Sequence, residues 1–529
     1  MREFNVTGIC VPHMHYMVDI SEKIEKIFKM VEGMKYFTIN CGRQYGKTTT
    51  IWKLRKRLPP DYICASISFQ YTDDEMFADV RGFCLGLLSR IHRSLLIENK
   101  EEAMFWLDEN VTNFEKLDLF ISERCVDKKV VLIIDEADEA FNNNLFVRFL
   151  KMLREKHLMR NAGNDYTFHS VIFAGVYDVR NLKQKMILQG KYEPTSGESI
   201  INSPWNIDVD LNVDMSFSVP EIETMLIEYE NDYHTEMNIS EIAQEICFYT
   251  NGHPYLVSKI CQLIETDLER NWTIEGIQEA LKLILKKRSA LFDDMFKKIE
   301  ENSDLNDLLF DLTVGNIKYS YNVDVPAIKF GIMFGFLAKE TKSLQIHNKI
   351  FEIRITDYFI MMNLRKWREN SIIQSPVNEI VKYGFFDMEI CLKKFQQHYS
   401  EIYTEKDQKF LESNGKLIFL TYLKPLINGF GFYHFESETR DYDKMDLVVN
   451  FMKQQFILEL KLWYGISRHK EAYTQLAKYL KSKNMDCGYL LTFDFRRKRD
   501  HFYPEPKWVE CEGKRIFDVV LAFGNGEDD

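Results

Sequence analysis

At 529 residues, with 45% hydrophobic, 14% aromatic and 28% charged side chains, the chain is long enough for three or four domains of roughly 150 residues, each with its own core, and is not collagen-like, low-complexity or largely disordered. A net charge of −12 argues against a protein that coats nucleic acid along its whole surface. The ten cysteines are scattered without a CxxC pair, so neither a zinc site nor a disulfide framework is expected, and a reducing compartment, the cytoplasm, is the expected location.

The N-terminus, MREFNVTGICVPHMHYMVDI, lacks the charged-then-apolar pattern of a signal peptide, and no apolar run approaches the ~20 residues of a membrane span. The first 200 residues alternate β-rich runs with helical patterns: KYFTINC, KTTTIWKLRKRL, YICASISF, a helical stretch from Arg81 to Arg93, KKVVLIID and HSVIFAGV. Strands separated by helix-length segments imply crossover connections and a parallel, doubly wound sheet. From about residue 219 to 290 the pattern is helical, broken at Asn251-Gly252-His253-Pro254. Residues 300–365 read as short helices followed by LQIHNKIFEI as the wing of a winged-helix-like module. After a connector containing RENSIIQSPVNE, a helix around 405–427 precedes the strand pair DLVVNF and QFILELKLW. The charge changes along the chain as well. Residues 391–529 hold 22 Lys+Arg against 21 Asp+Glu, whereas the first 390 hold 46 against 59, so the last quarter is a different module.

In KYFTINCGRQYGKTTT a strand runs into a loop ending Gly46-Lys47-Thr48 and then into a helix, the context of a Walker A phosphate loop. Read so, the backbone of Gly42, Arg43, Gln44, Tyr45, Gly46, Lys47, Thr48 and Thr49 cradles phosphates, Lys47 neutralises the β/γ oxygens and the Thr48 hydroxyl binds Mg2+. The first glycine of GxxxxGK[ST] is replaced by Cys41. The apolar strand VVLIID then ends in Asp135 and Glu136. Asp135 would organise Mg2+ through water, and Glu136 would orient or deprotonate the attacking water.

On HYMVDI, YFTINCGRQYGKTTT, LIIDEAD, SPWNI and TNGHPYLV, residues 5–290 resemble the AAA-like ATPases of bacteria, relatives of the signal-transduction ATPases with numerous domains. The resemblance implies ATP hydrolysis, a polar sensor at Asp178 or Arg180, and a lid turn in which Gly252 and Pro254 lie close to the nucleotide, with Asn251 and His253 either near it or simple loop residues.

In the last module Asp446 opens DLVVNF, and Glu459 and Lys461 lie two apart in QFILELKLW, hence on one side of a strand. Adjacent strands would join Asp446 and Glu459 as hard oxygen ligands for Mg2+, with Lys461 positioning or activating the water that attacks a phosphodiester. The bland alternative is a strand pair with ordinary charges, although an unpaired carboxylate in so apolar a strand is costly. With Gln475 and Tyr479 on the following helix, residues 395–525 resemble PD-(D/E)XK nucleases, including the QxxxY motif of their exonuclease-like branch. The resemblance implies that Gln475 and Tyr479 support the active site or the DNA, and that an acidic residue is added from Glu412 or Glu438. The family's proline is replaced by Met445. The run Arg496-Arg497-Lys498-Arg499 is either a phosphate contact or a solvated loop.

The expected protein is α/β and multidomain. It comprises a P-loop ATPase core over 1–210, a helical lid over 211–295, a winged-helix-like module over 296–370, a connector over 371–394, and a restriction-endonuclease-like domain over 395–529. The expected cofactors are ATP and Mg2+, with Mn2+ an option at the nuclease site. The expected partner is DNA, with no membrane, and with nucleotide-dependent self-association. The resemblance also implies a role in bacterial defence against mobile DNA. Two non-nuclease readings stay open: a nucleotide-sensing switch whose last module binds without cutting, and a DNA-binding regulator built on the winged-helix-like segment.

Overall fold

The computed structural model describes residues 2–70, 74–97, 99–137, 140, 143–175, 213–314, 319–322, 324–338, 343–368, 377–402, 408–428, 430–436, 446–494 and 505–522. Asp178, Arg180, Glu438, the SPWNI segment and the run Arg496 to Arg499 lie outside these residues. The chain divides into two compact units, one of Met1–Ile277 with Lys329–Phe336, the other of Gln278–Ile328 with Leu337–Asp529.

The first unit is built on a parallel sheet of β1 (Tyr36–Asn40), β2 (Tyr62–Ser68), β3 (Lys129–Asp135) and β4 (Ser170–Gly175), in the order β1-β4-β3-β2. Helices cover a parallel sheet on both faces, so its strands are apolar throughout rather than alternating. Val130 to Ile134 are accordingly all fully buried. Val130, Leu132 and Ile134 pack with Phe83, Leu87, Phe146 and Phe149 from the helices Val80–Leu95 and Asn144–Asn161. Each such side chain contributes about 1.5–3 kcal/mol on burial. Because the strands run in parallel, the loop after β1 and the last residues of β3 emerge at one edge, where ligands of such sheets bind.

Helices Val219–Tyr233, Ile239–Thr250 and Pro254–Thr266 follow. The first opens with a capping box between Ser218 and Glu221. The predicted break is sharp. Asn251 ends one helix with φ 44°, and Gly252 has φ 69°, where a Cβ would meet Phe217 O at 1.9 Å. Pro254 begins the next helix, where its missing N–H leaves nothing unsatisfied. An N-terminal strap lies across this helical part. Arg2 pairs with Glu228 and Asp232, each at 2.9 Å, the Tyr16 hydroxyl donates to Asp232 at 2.9 Å, and Phe4 packs among Tyr16, Tyr229 and Trp272.

In the second unit the helices Ala290–Glu300 and Ser303–Thr313 precede two isolated bridges, Ser320 to Ser343 and Leu337 to Ile346. The expectation that LQIHNKIFEI forms a wing is corrected in its second half. Lys349–Arg368 is a helix because the Asn348 side chain accepts from Phe351 N at 2.8 Å, and Ile350, Phe351 and Ile353 follow at core-facing helical positions. The helix Met388–Ile402, which overlaps the expected connector, is anchored to the sheet: Gln396 Nε2 donates to Val520 O at 2.8 Å and Trp508 Nε1 to Glu389 at 3.0 Å.

Beyond the short antiparallel pair β5 (Val381–Lys382) and β6 (Phe385–Phe386), that mixed sheet contains β7 (Gly431–Glu436), β8 (Asp446–Phe451), β9 (Gln454–Leu462), β10 (Cys487–Asp494), β11 (Lys507–Cys511) and β12 (Lys514–Ala522), in the order β11-β12-β10-β9-β8-β7. Strands β7 to β9 form antiparallel hairpins, and β10 runs parallel to both β9 and β12. The helix Ile466–Ser482 supplies the β9-to-β10 crossover. It buries Ala472, Leu476, Ala477, Tyr479 and Leu480 against Val448, Ile457, Leu490 and Ile516.

Candidate functional site

At the edge of the first sheet the chain leaves β1 through Cys41 and enters the helix Lys47–Arg57. Gln44 and Gly46 take left-handed φ values of 60° and 76°, a conformation that glycine adopts freely, whereas Cys41 does not. The missing glycine at position 41 therefore costs the loop no backbone strain. Gly42 is constrained differently, since a Cβ there would lie 2.5 Å from Phe334 O.

Lys47 folds back on its own loop, with Nζ donating to Cys41 O at 2.9 Å and Gly42 O at 3.0 Å. The Thr48 hydroxyl donates to Asp135 Oδ2 at 3.5 Å, and Asp135 Oδ1 accepts from Glu136 N at 2.9 Å. Burial raises the Asp135 pKa against the opposing pull of Glu136 N–H, Lys47 and Thr48. Glu136 has φ 51°, which turns the chain directly after the strand. Thr48 and Asp135 thus meet as a hydroxyl and carboxylate pair suited to a hard divalent cation.

A cavity of about 370 Å³ adjoins this loop, lined by Gln44, Tyr45, Thr49 and Lys53, by Phe217, Pro254 and Tyr255, and by the strap residues Asn5, Cys10 and Tyr16. Gln44 Oε1 is buried and accepts no hydrogen bond among the described residues. Cys10 N donates to Thr49 Oγ1 at 3.1 Å, tying the strap to the helix after the loop. Tyr45 is buried, its ring 4.4 Å from that of His253, and burial pushes its phenol well above the ordinary value. Arg43 is exposed. The strap's share of this cavity was not legible in the sequence, because residues so far from the loop along the chain carry no spacing signal.

In the second unit Asp446 stands directly opposite Glu459 in the β8-to-β9 register, so both positions share one face of the sheet. Lys461 Nζ is 2.8 Å from Glu459 Oε1. Glu459 is 2% exposed, and neither of its oxygens accepts a well-aligned hydrogen bond among the described residues. A buried carboxylate with uncommitted lone pairs fits a divalent cation, although among the described residues no group of three His, Cys, Asp or Glu is gathered for one. Gln475 is half-buried on the crossover helix, and Tyr479 belongs to its core face. Glu412 lies in the helix Gln408–Ile427.

One cluster has no precursor in the sequence reading. Asp518 Oδ2 accepts from the Tyr473 hydroxyl at 2.6 Å and lies 3.0 Å from His469 Nε2, while His469 Nδ1 is 3.4 Å from Thr492 Oγ1. Thr492 is the β10 neighbour of Lys461. Asp518 is 49 positions from His469 in the chain, so only the sheet order joins them.

Residues 19–282 match the family described as an AAA-like domain, and residues 432–502 the PD-(D/E)XK nuclease superfamily. An uncharacterized WD repeat-containing protein of Synechocystis sp. is 23% identical over 254 residues, which are 46% of this chain and 20% of that protein. The chain thus spans a fifth of the length of this curated relative. Among solved structures, a Walker-type ATPase of Pyrococcus abyssi aligns with 11% identity and a TM-score of 0.44, covering 66% of this chain and 99% of that one. The ORC2 protein of Aeropyrum pernix, in ADPNP–ADP complexes, aligns with 14% identity and a TM-score of 0.35, covering 68% and 98%. Among the described residues no helix is long and apolar enough to cross a membrane.

Proposed function

From a chain that joins an AAA-like domain to a segment of the PD-(D/E)XK nuclease superfamily, we propose that the protein hydrolyses ATP and cuts DNA with a divalent metal, the nucleotide state governing DNA access or self-association. The observation that carries the nuclease half is the buried Glu459 paired with Lys461 at 2.8 Å, with Asp446 opposite in the register. Asp446 and Glu459 would hold Mg2+ or Mn2+, which supplies Lewis-acid stabilisation of charge on the phosphate. Lys461 holds the attacking water, Gln475 and Tyr479 support the site from the helix behind it, and the extra carboxylate comes from Glu412 or Glu438.

In the ATPase half, Lys47 would exchange the carbonyls of Cys41 and Gly42 for the β/γ oxygens of ATP, and Thr48, with Asp135 acting through water, would hold its Mg2+. The amides of residues 42–49 cradle the phosphates, Glu136 orients the attacking water, and Pro254 bounds the nucleotide on the lid side. The division into ATPase core, lid, winged-helix-like module, connector and nuclease domain belongs to the same proposal, as do a role in bacterial defence and a cytoplasmic location.

The test is cleavage of linear and circular plasmid DNA by the purified chain with Mg2+ or Mn2+, with and without ATP, beside Lys461→Ala. Metal-dependent cutting that disappears in the variant is the expected result. Cutting that survives the substitution overturns the site, and ATP turnover without any cutting turns the reading to a switch that no longer cleaves.

A further inference from the structure

The loop leaving β9 carries apolar side chains into solvent immediately beyond Lys461. Leu462 is 38% exposed, Tyr464 65% and Ile466 68%. Trp463, between the first two, is anchored instead: its backbone N–H donates to Phe493 O at 2.9 Å, and its ring lies 4.8 Å from that of His469. The loop therefore presents its exposed residues from a fixed base. Gly465 takes φ 110° and ψ 166°, a conformation essentially confined to glycine. It turns the chain at once from the strand into the helix Ile466–Ser482, and a Cβ built on it meets nothing within 4 Å. The space beside Gly465 itself is thus open. The Arg468 guanidinium sits 5.3 Å from the Tyr464 ring centroid, and Lys470 is exposed one turn into the same helix.

Solvent-facing aromatic and aliphatic side chains interleaved with cations form the kind of surface on which single-stranded nucleic acid is bound. Every base has a π-face to stack, and every linkage has a phosphate for a guanidinium. Position favours this occupant over a protein. Tyr464 follows Lys461 by three residues, so at most roughly 11 Å of chain separates them, a reach of about three stacked bases at ~3.4 Å each. The module that carries the ridge also lacks the acidic excess of the first 390 residues.

We infer that the Leu462–Ile466 ridge is a stacking platform for an unpaired base of the DNA strand being cut, with Tyr464 as the stacking ring and Arg468 as the adjoining phosphate contact. The substrate class that follows is DNA with a single-stranded end, gap or flap rather than a continuous duplex. The inference rests on the nuclease reading of Asp446, Glu459 and Lys461.

Binding of the full chain, without added metal, to a blunt DNA duplex and to the same duplex extended by an unpaired overhang carrying 2-aminopurine separates the two claims. Tyr464→Ala should weaken overhang binding about tenfold and abolish the stacking-induced quench of 2-aminopurine, while changing blunt-duplex binding by less than about twofold. Tyr464→Phe, which keeps the ring, should behave as the parent. Equal weakening on both DNAs, or no rescue by phenylalanine, overturns the platform, as does a parent protein that binds neither DNA. A Tyr464-dependent quench with an RNA overhang but none with DNA overturns the assignment to DNA. Cleavage by Lys461→Ala is scored separately. Its persistence overturns the nuclease reading, whereas its loss together with Tyr464-independent binding overturns the platform alone.

Discussion

The lysines of the two proposed sites are held in opposite ways. Lys47 rests on two neutral carbonyls of its own loop, while Lys461 faces a carboxylate that is 2% exposed. Carbonyls release an ammonium to an arriving phosphate and are left with ordinary hydrogen-bonding needs. A buried ion pair does not separate so easily, because removing one partner strands an uncompensated charge in the core. Losing its lysine should therefore disable the phosphate loop without unfolding it, whereas the same loss in the second unit should cost both chemistry and stability.

The sharpest way to break this contrast lies at position 461. Lys461→Met should reduce cleavage by about 10²–10⁴-fold and lower stability by about 3–5 kcal/mol. Adding Glu459→Gln should recover much of the stability and none of the cutting. Urea unfolding beside a plasmid assay reads both quantities, and an unchanged midpoint for the single variant would remove the contrast. Lys47→Ala should lower ATP turnover by about 10²–10³-fold with stability held within about 0.5 kcal/mol. A large fall in its unfolding midpoint would show that the loop depends on its lysine structurally.

A smaller effect is expected at Gly42, where a methyl group would press on Phe334 O at 2.5 Å. Gly42→Ala should cost about 1–3 kcal/mol by overpacking and weaken nucleotide binding, as thermal unfolding with and without ATP would show.

The two units should also respond to pH in different ranges. In the first, burial, aided by the neighbouring Arg160 and Lys35 charges, pushes His157 down to about 4 from 6.5. The unfolded chain then binds the extra proton between those values, so stability is lost as pH falls from about 6.5 towards 4. In the second, burial pushes Lys416 down to about 7 from 10.5, with Nζ donating to Thr313 O at 2.5 Å and lying 3.6 Å from the Phe435 ring centroid. Here the unfolded chain holds the extra proton above pH 7, so stability rises with pH from about 7 towards 10.5. The slope of each limb is at most about 1.4 kcal/mol per pH unit. His157→Gln should flatten the acid limb and Lys416→Met the alkaline one. Unfolding midpoints across pH 4–10 check both, and a limb that survives its substitution has another origin.

Much of the architecture was legible because parallel and mixed sheets write themselves locally. Runs such as VVLII, SVIFA and YLLTF are strands buried on both faces, and helix-length segments between them leave few ways to connect. The wing was misread in part because KIFEI is apolar in a pattern that a strand and a helix share. The capping side chain of Asn348 decided for the helix, and a cap is a short-range feature that β-like composition hides.

The sites divide along the same line. The sequence alone determined the glycine- and lysine-bearing loop from Gly42 to Thr49 between a strand and a helix and the placing of Glu459 and Lys461 on one side of a strand, because residues consecutive or two apart keep their relation in any strand or loop of that type. The tertiary structure alone decided that Asp446 stands opposite Glu459, that strap residues near Cys10 help line the cavity beside Tyr45, and that Asp518 and His469 meet behind Thr492. Each of these depends on register or sheet order. A one-residue slip would turn every side chain of a strand to the other face, so they are set by the whole core and not by any segment of it.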